Sequence, residues 1–99
     1  MRVSFLEAAD AEVEAAQAWY AERSLLAASA FQYELSKTIT RIVEAPHRHP
    51  KAEHGTRRIL FDRFPYSIYY RISDDALVVI AVAHAKRRPP YWASRSHAG

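Results

Sequence analysis

With 99 residues the chain has room for one domain and not comfortably for two. It is 49% apolar and 12% aromatic, which excludes a disordered polymer, and it has no cysteine, which excludes disulfides, thiolate zinc sites and a cysteine nucleophile. The net charge of +3 hides an asymmetry: residues 1–45 carry four basic against seven acidic side chains and residues 46–99 carry ten against four, so the second half suits a polyanion or an acidic peptide.

Arg2–Leu6 predicts a short strand, with Val3 and Phe5 alternating against Arg2 and Ser4. The spacing of Ala9, Val13, Ala16 and Tyr20 then predicts a helix, with Glu12, Glu14 and Gln17 read as mainly off the apolar stripe and Trp19 broadening it. Glu7 and Asp10 also interrupt any early apolar run. No stretch approaches the 20 or so apolar residues of a membrane span, and the expected location is cytoplasmic.

Ser24 is placed to cap a second helix, whose stripe is Ala28, Phe31, Leu35, Ile39 and Ile42. That helix should end near Ala45, because Pro46 disfavours a helical residue before it. A connection this short makes the two helices an antiparallel hairpin. A polar loop, residues 47–55, leads into three strands: Arg57–Asp62, Tyr66–Ser73 and Leu77–His84, with Phe64-Pro65 and Asp74-Asp75 in the turns. In the middle strand Ile68, Tyr70 and Ile72 share one face and Ser67, Tyr69 and Arg71 the other. The unbroken apolar run of the last strand marks it as central.

These elements predict an α+β fold of two layers, β-α-α-β-β-β, with the helical hairpin packed on an antiparallel sheet. One domain spans residues 1–99, and residues 85–99 form a basic, aromatic tail.

Several segments carry a family likeness. They are Ala18-Trp19-Tyr20; Phe31 with Glu34-Leu35; Ile42 and Pro46; Arg58; Phe64-Pro65-Tyr66 with Ile68-Tyr69-Tyr70; and the run from Val82-Ala83-His84 through Lys86-Arg87-Arg88-Pro89-Pro90-Tyr91-Trp92, closed by Arg95. In order and spacing the chain resembles the RelE/ParE toxins of type II toxin–antitoxin, or plasmid stabilisation, systems of bacteria, over nearly its whole length. The resemblance implies two helices on an antiparallel sheet and a cognate antitoxin that blocks a growth-inhibiting toxin. It implies one of two activities: ParE-like poisoning of DNA gyrase, or RelE-like cleavage of messenger RNA in the ribosome. Some members of the superfamily have no demonstrated toxicity.

If the chain is an enzyme, it is a metal-independent endoribonuclease. Such chemistry must activate a 2′-hydroxyl, stabilise charge on phosphorus and protonate the leaving oxygen. The candidate catalytic groups are Arg87, His84 and Tyr91. Arg57, Arg58, Arg71, Lys86, Arg88, Trp92 and Arg95 are candidates for binding target or antitoxin. Structural roles stand beside these: Tyr91 and Trp92 as covers for the open end of the core, His84 as a histidine bonded to backbone. One departure weighs against nuclease chemistry. RelE-like nucleases carry an arginine on the middle strand where Ser67 stands here, and a serine cannot hold a phosphate as a guanidinium does.

His47, His49 and His54 lack the spacing of a metal site, so neither metal nor cofactor is expected. With Gly55 and Gly99 as its two glycines, the chain has no phosphate-cradling glycine loop.

Overall fold

The computed structural model describes residues 1–97. Strand β1, Arg2–Phe5, leads into helix α1, Glu7–Arg23, and helix α2, Leu25–Glu44. Strands β2, Arg57–Leu60, β3, Tyr66–Ser73, and β4, Ala76–His84, follow, and a short 3-10 helix at Ala93–His97 closes the described chain. The helices pack on a four-stranded sheet of order β1-β4-β3-β2, so the two-layer α+β architecture read from the sequence holds.

The sheet is mixed rather than wholly antiparallel. β2, β3 and β4 form the expected antiparallel meander, but β1 pairs parallel to β4, with Val3 opposite Leu77 and Phe5 opposite Val79. Side-chain alternation is the same for either direction, so no pattern in Arg2–Phe5 could reveal it. A parallel pair needs a long crossover, and here the helical hairpin and the β2–β3 hairpin supply one. The strand ends also retreat. β1 stops at Phe5 because Leu6 becomes the residue that starts α1, and β2 stops at Leu60 because Asp62 lies in the turn.

The helical readings rest on local physics that the fold keeps. The Ser24 hydroxyl accepts from the Ala27 backbone N–H at 3.2 Å and starts α2 one residue after α1 ends. Phe31, Leu35 and Ile42 are buried against the sheet, and Phe31 stacks among Tyr20, Phe61, Phe64 and Tyr66 at 5.2–5.5 Å between ring centres. On α1 the buried contacts are small: Ala9 and Ala16 bring the helix backbone close to β4.

The sheet divides the core in two, and a β-bulge shifts the face alternation along β4. Tyr69 pairs with Ala81 but Tyr70 with Val79, so Ile80 is an extra residue on β4. Leu77, Val79 and Val82 join the cluster under the helices, whereas Ile80, Ala81 and Ala83 join Tyr69 and Trp92 on the opposite face. The run that reads as central in the sequence is thus buried on both faces. The second cover is the C-terminal segment itself, because Trp92 is fully buried, with its ring 4.5 Å from that of Tyr69.

Candidate functional site

The candidate groups of the tail converge on a residue at the other end of the chain. Glu12 lies on α1, one turn after Ala9, and its side chain is 13% exposed. One carboxylate oxygen accepts from the Val82 backbone N–H at 2.9 Å and from Arg95 Nη1 at 2.9 Å. The other accepts from the Tyr91 hydroxyl at 2.5 Å and faces Arg87 Nη1 at 3.4 Å. The Val82 contact follows from the topology. β1 ends beside Val79, so the later residues of β4 have no strand on that side, and a buried N–H there needs an acceptor. Glu12 supplies it with a charge-assisted bond.

Tyr91 sits inside this arrangement. The Arg87 guanidinium lies 3.5 Å over its ring and that of Arg95 5.2 Å from it. Burial, then the hydrogen bond to Glu12 and its negative charge, push the Tyr91 phenol above its ordinary range, against the lowering influence of the two arginines. The hydroxyl is therefore a committed donor.

His84 ends β4, with its ring edge-on to Tyr66 at 5.0 Å. Its Nδ1 accepts from the Lys86 backbone N–H at 3.0 Å. That contact places the ring proton of the neutral tautomer on Nε2. His84, Lys86 and Arg87 rim a groove of about 570 Å³ between α1 and the sheet, walled by Trp19, Tyr20 and Tyr66. Trp19 is 52% exposed there.

The other candidates lie elsewhere. Lys86 and Arg88 are exposed in the segment after β4. Half-buried Arg57 donates to the His49 carbonyl at 2.8 Å, holding the loop before β2. Arg58 stands opposite Tyr69 and Arg71 opposite Val78, on the sheet face away from the helices. Ser67 pairs between Leu60 and Ala83 on that face, with no guanidinium in its place. Trp92, expected among binding residues, has no exposed surface to offer a partner. A buried indole is the largest apolar side chain available to close the outer cluster, and that is where the fold puts it.

Two acidic residues have structural roles that their place in the sequence does not announce, although Glu34 stands within the segment that carries the family likeness. Glu12 belongs to the apolar face of α1 rather than lying mainly off it, because positions 9, 12, 13 and 16 share one face at helical spacing. Glu34 stands in the same way between Phe31 and Leu35 on α2, is buried, and accepts from the Arg63 backbone N–H at 2.6 Å. A carboxylate on an apolar stripe is the available signal in both cases, because burying its charge requires donors from another element.

The family model described as the ParE toxin of type II toxin-antitoxin system, parDE, matches residues 3–89. Among solved structures, one titled "Chromosomal ParDE TA system from P. aeruginosa" is similar in fold, with a TM-score of 0.75 at 16% identity, covering 87% of this chain and 97% of that one. No curated protein sequence matches the chain. The match from β1 to the start of the C-terminal segment, on a fold of two helices over a four-stranded sheet, shows that the chain belongs to the ParE toxin family of type II toxin–antitoxin systems.

Proposed function

We propose that this chain arrests bacterial growth by inhibiting DNA gyrase and that a cognate antitoxin neutralises it. The observation that carries the gyrase reading over messenger RNA cleavage is the engagement of Arg87, Tyr91 and Arg95 with Glu12. A ribonuclease of this kind needs a cation free to stabilise phosphorane charge and a group free to take or give a proton. Here both arginines face a carboxylate, the phenol donates to it, and the His84 Nδ1 lone pair is occupied. Ser67, where a nuclease arginine is expected, points the same way.

The groove beside α1 supports the antitoxin reading. An apolar wall that includes half-exposed Trp19, with exposed Lys86 at the rim, fits a peptide that places apolar side chains inward and acidic ones at the edge. Arg57 and Arg58 offer further positive charge near β2.

Induction in a bacterium, with gyrase supercoiling assayed beside primer extension on messenger RNA, tests the reading. Growth arrest with impaired supercoiling and intact message is expected, and co-expressed antitoxin should restore growth. Codon-phased cuts in message with normal supercoiling would overturn the gyrase assignment, and normal growth with verified folded protein would overturn the toxin assignment in that host.

A further inference from the structure

Glu12 does more than cap β4, and the reason lies in which cations it engages. Lys86, Arg87, Arg88 and Arg95 bring four positive charges into the segment after β4. Two of them direct Nη1 at the same carboxylate, Arg95 at 2.9 Å and Arg87 at 3.4 Å. The Tyr91 ring lies against both guanidiniums and donates its hydroxyl to that carboxylate, so the arginines are held from two sides. Each arginine commits one Nη1 to the carboxylate, Arg95 with a side chain 22% exposed and Arg87, at the longer distance, with one 52% exposed, so a phosphate has to compete with Glu12 for both and Arg95 is the more withdrawn. The carboxylate is itself anchored through the Val82 N–H at 2.9 Å, so it cannot follow an arginine that swings toward solvent.

We propose that Glu12 is an internal counter-anion that masks Arg87 and Arg95 and so keeps the basic C-terminal segment from gripping single-stranded nucleic acid. The device resembles a built-in phosphate mimic, with one negative group, charge-assisted bonds and an aromatic face where a phosphate and a base would otherwise sit. It holds whichever cellular machine the protein stops, because it concerns the charge that the segment shows to any polyanion.

Equilibrium binding of a fluorescent 20-nucleotide oligouridylate, titrated across salt concentrations, tests it on the full chain. Glu12→Gln keeps an oxygen for the Val82 N–H and removes the charge. Glu14→Gln makes the same net change at an exposed position two residues away on the same helix. Masking predicts that Glu12→Gln binds about tenfold tighter at low salt, and that its log–log salt slope steepens by about 0.7 for one released arginine or about 1.4 for both. Glu14→Gln should change affinity less than about twofold with an unaltered slope. Adding Arg87→Gln and Arg95→Gln to Glu12→Gln should abolish the gain.

A second measurement avoids the Glu12 variants and any folding defect they bring. In the otherwise unaltered chain, replacing Arg87 and Arg95 by Gln should leave the salt slope of RNA binding unchanged, because masked arginines make no phosphate contact. Equal gains from Glu12→Gln and Glu14→Gln would overturn the proposal, since net charge alone would then explain them. A slope that falls by about 0.7 for each arginine removed from the unaltered chain would overturn it too.

Discussion

Glu12 and Tyr91 lie 79 positions apart in the chain, yet the Tyr91 phenol donates to the Glu12 carboxylate at 2.5 Å. This bond ties the first helix to the segment that follows the last strand. It also turns two residues with evident acid–base potential into a fixed pair, with Arg87 and Arg95 arranged around them.

Tyr91→Phe tests that bond while keeping the ring under Arg87. The loss of a hydrogen bond to a charged acceptor should cost about 1–3 kcal/mol in urea unfolding. The alkaline limb should change as well. Burial and Glu12 raise the Tyr91 pKa above its ordinary value of 10.0, so the native state keeps a proton that the unfolded chain releases. The stability this contributes is fully present below about pH 10 and is lost as pH rises toward the folded-state pKa. Burial raises Tyr20, Tyr66 and Tyr70 in the same direction, so all four phenols share the alkaline loss. The variant should lose stability less steeply above pH 10 than the parent, and an identical steepness in the two would show that Tyr91 is not coupled to the fold as described.

Glu34 offers a test of the buried carboxylate on the second helix. Its side chain accepts from the Arg63 N–H at 2.6 Å and so pins the β2–β3 turn to α2. Glu34→Ala should cost about 1.5–3 kcal/mol, and Glu34→Gln, which keeps a neutral acceptor, roughly half as much. Amide exchange should quicken at residues 61–66 before the rest of the sheet. Uniform acceleration across β3 and β4 would mean that the bond supports the whole fold rather than the turn.

Phe31 and Trp92 anchor the two clusters on opposite faces of the sheet. Each is fully buried, and Phe31→Ala or Trp92→Ala should cost about 3–5 kcal/mol. In a domain of ordinary stability either change brings the chain close to unfolding. The milder pair Phe31→Leu and Trp92→Phe should be additive within roughly 0.5 kcal/mol, because the side chains lie in separate clusters. Strong coupling between them, measured by a double-mutant cycle in urea, would show that the clusters act as one. A Trp92→Phe protein with unchanged stability but impaired partner binding would return Trp92 to the binding surface.

Much of the fold was legible because its causes are local. Ser24 between two apolar periodicities, the stripe through Phe31, Leu35 and Ile42, the alternation of Ile68, Tyr70 and Ile72, and the Asp74-Asp75 turn each follow from a few consecutive residues and the geometry of helix or strand. The basic and aromatic character of residues 84–95 was equally plain, and so was the likeness those residues carry. What those groups do was not legible, because their surroundings come from elsewhere in the chain. Only the tertiary structure turns the unmarked carboxylate of Glu12 into the acceptor for Val82, Tyr91 and Arg95, which lie 70, 79 and 83 positions away. It also decides that Trp92 closes a second core and that β1 runs parallel to β4. The physical reason is common to all three. Periodicity records which side of an element is apolar, whereas a counter-ion, a strand direction or a burial partner depends on which distant element is brought against it.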